Sequence, residues 1–226
     1  MLSQSIAPLS LDVSDFGCIR NGRVLLRHIS FHLDAGQVLL VQGGNGSGKS
    51  TLLRSLAGLM TWRAGTLTFC GEKLLASSPS LQQKISYLGH QCGMSDGLTG
   101  AENLGVALQL QGIAWDADRV ATVLKQWGVA EVAHRPMFRL SQGQRRRLAI
   151  ARVLLSGRPV WLLDEPDNSL DVVGSELLQQ ALAEHARTGG LAVVVSHRNL
   201  FVPDTRTQIL ELSSEKQLLT QVEHTC

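Results

Sequence analysis

Short continuous apolar runs alternate along the chain with stretches whose apolar residues recur every three or four positions. That alternation is the pattern of an α/β layer architecture. Val38 to Val41 is predicted to be a buried strand, closed by the glycine-rich stretch Gly43 to Gly48. Ser50 to Gly58 then has helical spacing of Leu52, Leu53, Leu56 and Ala57, with Gly58 as its C-terminal stop. Val160 to Leu163, Leu191 to Val195 and Ile209 to Leu212 read as further strands. Leu9 to Val13, Val24 to Leu33 and Thr66 to Phe69 read as strands of a more antiparallel layer. From about residue 91 to 157 the pattern is helical, with candidate helices at Thr99–Gln111, Asp118–Trp127 and Gln144–Leu155 separated by Gly112, Gly128 and Pro136. The expectation is one unit over 1–226: a core of about 1–90 and 158–226, with a helical subdomain of about 91–157 inserted into it.

Composition narrows this picture. A chain of 226 residues can bury a full core without disulfides or a structural metal. With 44% hydrophobic and 18% charged residues it is neither disordered nor fibrous. A net charge of +2 offers no obvious surface for a polyanion, so nucleic acid is not expected as a partner. The apolar runs are strand-sized and too short to span a bilayer. The start, MLSQSIAPLS, has neither the basic opening nor the long apolar stretch of a secretory signal. Cys18, Cys70, Cys92 and Cys226 have no metal-ligand spacing and read as unpaired thiols of a reducing compartment.

The first piece of chemistry is Gly43, Gly44, Asn45, Gly46, Ser47, Gly48, Lys49, Ser50 and Thr51, which satisfies G-x-x-x-x-G-K-[ST] between a strand and a helix. Glycines let backbone amides turn toward a polyphosphate, and the helix N-terminus adds its positive end. Lys49 would reach the β- and γ-phosphates, and the Ser50 hydroxyl would ligate Mg²⁺. The second is Asp164-Glu165, two carboxylates ending an apolar strand. Ligands of open parallel sheets gather at the carboxyl ends of strands, which would set Asp164 beside Ser50 as a second oxygen ligand. Glu165 could then orient or deprotonate a water attacking the γ-phosphate.

Leu140-Ser141-Gln142-Gly143-Gln144, leading into Arg145-Arg146-Arg147, then Ser169-Leu170-Asp171 and His197 complete an ordered set with those two. The set resembles the P-loop, signature, D-loop and switch histidine of ATP-binding-cassette (ABC) ATPases over nearly the whole chain. The resemblance implies a P-loop (RecA-like) ABC nucleotide-binding domain with an antiparallel β layer and an inserted helical subdomain. It implies ATP and Mg as cofactors, Lys49, Glu165 and His197 as catalytic residues, and a homodimer in which Ser141, Gly143, Gln144 and Asp171 meet the partner's nucleotide. Arg145 to Arg147 are expected on a solvated helix face.

Three positions depart from common members of that family. Gln142 replaces a small residue of the signature. Arg20 stands where an aromatic usually stacks on adenine, and a guanidinium plane can stack there too. His90, in Tyr87-Leu88-Gly89-His90, occupies the place of the glutamine that reaches the metal; Gln91 could substitute if the loop shifts by one. Tyr-Leu-Gly-His followed by Leu98-Thr99 and Glu102-Asn103-Leu104 resembles the cytochrome c maturation branch, as do Cys18-Ile19-Arg20 and the segment from His185 to Leu200. That branch implies a peripheral subunit on the cytoplasmic face of a bacterial inner membrane, with integral membrane partners and haem as cargo of the complex. No Cys-x-x-Cys-His occurs, so haem is not expected to bind this chain directly. Another small ABC exporter subunit, a soluble ABC ATPase and a non-hydrolysing scaffold are the competing readings.

Overall fold

The apolar runs pair into two sheets. The computed structural model describes residues 8–20, 23–62, 64–74, 83–196, 200–213 and 217–223, without the side chains of Arg20, Arg23 and 217–223. The first sheet is antiparallel, with β1 (Ser10–Arg20), β2 (Arg23–Asp34), β4 (Ala64–Phe69) and β5 (Glu72–Leu74) in the order β2-β1-β4-β5. β1 runs well past Val13, where simple alternation stops. Leu11 and Val13 point inward, then Phe16 and Cys18 do, so the inward parity flips at Asp15. On β2 the parity flips between Leu26 and Ile29 around His28. Asp15 and His28 have φ of 50° and 53°, and the register between the strands shifts there. Such bulges absorb an extra residue and return the apolar side chains to the core.

The second sheet has the order β10-β9-β3-β8-β7-β6. Its strands are β3 (Gln37–Gly43), β6 (Ile85–Leu88), β7 (Val160–Asp164), β8 (Leu191–Val195), β9 (Arg206–Leu212) and β10 (Gln217–Glu223). All neighbours run parallel except β9 and β10, which are antiparallel. Side chains alternate across a strand, and here both faces are covered. Val38, Leu40, Trp161, Leu163, Ala192 and Val194 enter one core. Leu39, Val41, Val160, Leu162, Val193 and Val195 enter the other, together with Leu52, Leu53 and Leu56 of α1 (Lys49–Leu56) and the inner face of the first sheet. Double burial is why these strands read as unbroken apolar runs.

Between β6 and β7 the described elements are helical: α2 (Gly100–Leu110), α3 (Ala117–Gln126), a 3₁₀ turn (Met137–Arg139) and α4 (Gln142–Ser156). Thr99 and Ser141 open α2 and α4 with capping boxes closed by Glu102 and Gln144, and the Asp116 carboxylate caps α3. Gly157, at φ 60°, ends α4. Leu104, Leu108, Val120, Leu124, Trp127 and Leu148 pack the segment into the core that also holds Leu163 and Val194. After β7 comes α5 (Val172–Arg187), capped by Asp171, with Leu178, Leu182 and Ala186 buried. Among the described residues no helix is long and apolar enough to cross a membrane.

Candidate functional site

The carboxyl end of β3 turns through Gly43 to Gly48 into α1, so Lys49 and Ser50 are first-turn residues. Gly43 has φ 143° and Gly48 φ 100°, conformations that favour glycine. Space forbids a side chain there as well: a Cβ at Gly43 would collide with the Leu212 carbonyl oxygen, and one at Gly48 would lie 2.6 Å from the Leu26 side chain. The loop borders an open cavity of about 550 Å³ with Gln42, Asn45 and Ser47 on one side and Glu211, Leu212 and Ser213 on the other. Lys49 is buried and its Nζ donates to the Gly43 and Gly44 carbonyls at 2.8 and 2.9 Å. These lone-pair acceptors hold the ammonium inside the loop.

β7 delivers Asp164 to the same end of the sheet, where the Ser50 Oγ donates to Asp164 Oδ1 at 3.1 Å. Asp164 is 0% exposed, and its Oδ2 is buried without a hydrogen-bond partner. Burial pushes its carboxyl above the ordinary range; the Ser50 hydrogen bond opposes this, Glu165 adds to it, and Arg54 and His90 oppose it. A buried carboxylate with one unsatisfied oxygen beside a hydroxyl fits a hard cation, which takes oxygen ligands and supplies the missing counter-charge. Ser47 Oγ, in the glycine-rich loop, is likewise buried without a hydrogen-bond partner.

Glu165 stands one residue beyond β7 with φ 51°. Its N–H donates to the Val195 carbonyl at 2.8 Å, and its Oε2 accepts from Asn168 Nδ2. His90 Nδ1 lies 3.4 Å from the same Oε2, with the imidazole 65% exposed. His90 thus faces Glu165 as well as standing near Asp164, and His90 and Gln91 both border a cavity with Cys92, Met94 and Gln142. Ser196, at the end of β8, donates to Asp167 Oδ2 at 3.0 Å. His197, next in the chain, and the Arg20 side chain lie outside the described residues.

The signature residues are gathered at the start of α4. Ser141 Oγ accepts from the Gln144 N–H at 3.2 Å, and the Gln144 side chain accepts from the Ser141 N–H at 3.0 Å. Gln142 Oε1 accepts from the Ser169 hydroxyl at 3.3 Å, and a Cβ at Gly143 would lie 2.9 Å from the Ser169 carbonyl oxygen. Asp171 accepts from the Gly174 N–H at 2.8 Å and pairs with Arg147 at 2.6 Å; both, the backbone bond first, hold its carboxyl below the usual range.

The expectation of a solvated face at Arg145 to Arg147 is corrected by these contacts. Arg145 donates to the Leu140 carbonyl and pairs with Asp96 at 3.0 Å; Arg147 donates to the Trp127 carbonyl at 2.9 Å and pairs with Asp171. Arg146 is 3% exposed. Its position was legible in the helical period, since Arg146, Ala149, Ile150 and Val153 share the buried face of α4. Asn168, which holds Glu165, carried no such signal, because its partner lies in a turn with no period of its own.

The sequence pattern of the ABC transporter family matches residues 26–168. The cytochrome c biogenesis ATP-binding export protein CcmA of Cupriavidus necator is 43% identical over 204 residues, covering 90% of this chain and 89% of that protein. The CcmA proteins of Bordetella bronchiseptica and Vibrio cholerae are 42% and 34% identical, over 94% and 91% of this chain and 93% and 100% of theirs. A dimeric ATP-binding cassette in a post-hydrolysis state, bound to ADP and Pi, shares the fold at a TM-score of 0.77 and 24% identity, over 92% of this chain and 97% of that one. A nucleotide-free cassette of an ABC transporter shares it at a TM-score of 0.80 and 17% identity, over 95% and 92%. With its loop, strand-end carboxylates and capped signature helix in this arrangement, the chain belongs to the ABC transporter ATP-binding family and, within it, to the CcmA cytochrome c biogenesis proteins.

Proposed function

We propose that the chain is the ATP-hydrolysing subunit of a membrane ABC complex that supports haem delivery or export for c-type cytochrome biogenesis. The observation that carries the catalytic part is the Ser50–Asp164 contact of 3.1 Å, with Asp164 Oδ2 buried and unsatisfied and Glu165 next in the chain. The biogenesis role rests on the identity to CcmA proteins over nine-tenths of the chain.

Gly43 to Thr51 receive the phosphates on backbone N–H groups and the start of α1. Lys49 exchanges its two carbonyl acceptors for phosphate oxygens, a stronger charge-assisted bond. Ser50 and Asp164 would hold Mg²⁺, with His90 nearby, and the ion would supply charge neutralisation of the phosphates. Glu165, steadied by Asn168, orients the attacking water and accepts its proton. His197 contacts the γ-phosphate, and Arg20 stacks on the base. From the partner copy, Ser141, the Gly143 amide, Gln144 and Asp171 close the site. The core of about 1–90 and 158–226 carries the nucleotide, and the helical subdomain of about 91–157 carries the signature across to the partner's site. The homodimer sits on the cytoplasmic face of a bacterial inner membrane against integral subunits of the maturation complex. Haem belongs to that complex and not to this chain, and nucleic acid is not a partner.

The test is affinity capture from detergent-solubilised membranes with identification of what co-purifies. Integral subunits of cytochrome c maturation are expected. Recovery of sugar, peptide or drug permeases instead would overturn the biogenesis role and leave the ATPase reading standing.

A further inference from the structure

Arg146 is the most heavily bonded buried cation of the described chain, and none of the roles above uses it. Its Nε donates to the Pro166 carbonyl at 3.1 Å, and its Nη2 to the Asp164 carbonyl at 2.7 Å and to the Glu165 carbonyl. Its Nη1 donates to the Gly89 carbonyl at 3.0 Å and approaches the His90 carbonyl at 3.5 Å. All three guanidinium nitrogens are therefore spent on main-chain carbonyls, from the end of β7 and the turn after it and from the loop after β6. β6 and β7 are parallel neighbours, Leu88 beside Leu163, so the two segments leave the sheet side by side. Arg146 bridges them, and it does so from α4, which Ser141 caps and whose first turn holds Gln142, Gly143 and Gln144.

Glu165 is the residue most exposed to the consequence. At φ 51° it occupies a left-handed conformation that non-glycine residues avoid unless their surroundings enforce it. Its N–H is held by Val195 and its carbonyl by Arg146. We propose that Arg146 is a positioning residue for ATP hydrolysis, fixing the Glu165 turn and the His90 loop to the signature helix as one unit. The proposal rests on the reading of Glu165 as the residue that orients water. A lysine cannot replace this contact, because a single ammonium offers three donors at one point and a guanidinium presents five in a planar fork. Rotation of α4 is thereby transmitted to both loops through one side chain.

The test uses the full chain with Arg146→Lys, Arg146→Gln and Arg146→Ala, each confirmed as folded by circular dichroism. Without nucleotide, amides of residues 90–93 and 165–170 in Arg146→Gln and Arg146→Lys should exchange at least tenfold faster, while those of β3 and α2 stay within twofold. In steady-state hydrolysis kcat should fall at least tenfold with KM for ATP within threefold. Millimolar guanidinium ion should restore part of kcat in Arg146→Ala and none in Arg146→Lys, where the ammonium fills the site. An exchange increase spread evenly over all segments, an increase at 165–170 alone, or unchanged kcat in a folded Arg146→Gln would overturn the proposal. If the unsubstituted chain hydrolyses no ATP, the proposed function fails, and the exchange pattern still decides the role of Arg146.

Discussion

Lys49 shows how much of this site is local chemistry. Its ammonium is buried in a loop whose carbonyls already hold it, so the loop is pre-formed around a cation before phosphate arrives. Phosphoryl transfer depends mostly on positioning and charge stabilisation. Lys49→Ala is therefore expected to lower ATP turnover at least about a hundredfold, measured as phosphate release by the purified chain. His90 is a different kind of residue: it is exposed, it lies 3.4 Å from Glu165, and its chain neighbours lead into the helical segment. His90→Ala should leave ATP affinity within a few-fold while lowering partner-stimulated hydrolysis and cytochrome c maturation in cells. His90→Gln should be milder, since an amide restores a donor and an acceptor. Full maturation with His90→Ala would count against a part for His90 in coupling hydrolysis to the membrane partner and make Gln91 the next residue to substitute. The P-loop and the Asp164-Glu165 pair were legible because each is contiguous and its spacing is its chemistry. The partners of Arg146 were not, because they are carbonyls of residues such as Gly89 and Pro166, which have no side-chain signature.

At the scale of elements, strands β3, β7 and β8 were readable for the reason that makes them stable: both faces are buried, so the apolar run is continuous. β1 was read too short, because the bulge at Asp15 breaks the alternation while the strand goes on to Arg20. α5 was missed although Leu178, Leu182 and Ala186 repeat at four-residue spacing, since its first turn, Val172 and Val173, is apolar yet exposed. How α5 meets β7 has a measurable consequence. The His185 ring of α5 stacks on Trp161 of β7 at 3.8 Å and 10°, and a Cβ at Gly190 would strike the same ring. Burial lowers the His185 pKa to about 4, against 6.5 for an ordinary histidine. Glu184, which pairs with Arg187, and Arg158 border the same cavity. With the folded pKa the lower one, the unfolded chain takes up the proton first as pH falls. The contribution of His185 is thus intact above about pH 6.5 and is lost progressively toward pH 4. Urea unfolding should show about 2 kcal/mol less stability at pH 5 than at pH 7.5 from this residue alone. His185→Phe keeps the stack and should remove that difference; an unchanged pH dependence would assign it to other groups.

For the whole molecule the question is what completes the site. In this chain the N–H and hydroxyl of Ser141 are engaged in its capping box with Gln144, and Asp171 is held by Gly174 and Arg147. These groups form an ordered, outward-facing edge: Ser141 is exposed, and Val172 and Val173 beside Asp171 are 75% and 58% exposed. Apolar side chains left open next to rigid polar caps suit a surface that a second copy covers once phosphate lies between them. Removing the proposed proton acceptor while leaving Ser50 and Asp164 in place tests this arrangement. Glu165→Gln retains Ser50 and Asp164, and its amide oxygen can still accept from Asn168, so ATP and Mg²⁺ should bind while turnover stops. The trapped state should be a dimer in which each nucleotide bridges Lys49 of one copy and Ser141 of the other. Light scattering with ATP and Mg²⁺ should then report twice the 24.5 kDa of one chain, and Ser141→Arg in the same background should return it to one. A Glu165→Gln chain that binds ATP tightly and stays at the mass of a single copy would count against the sandwich. The signature would then need a membrane partner, and not a second copy alone, to bring it to the phosphate.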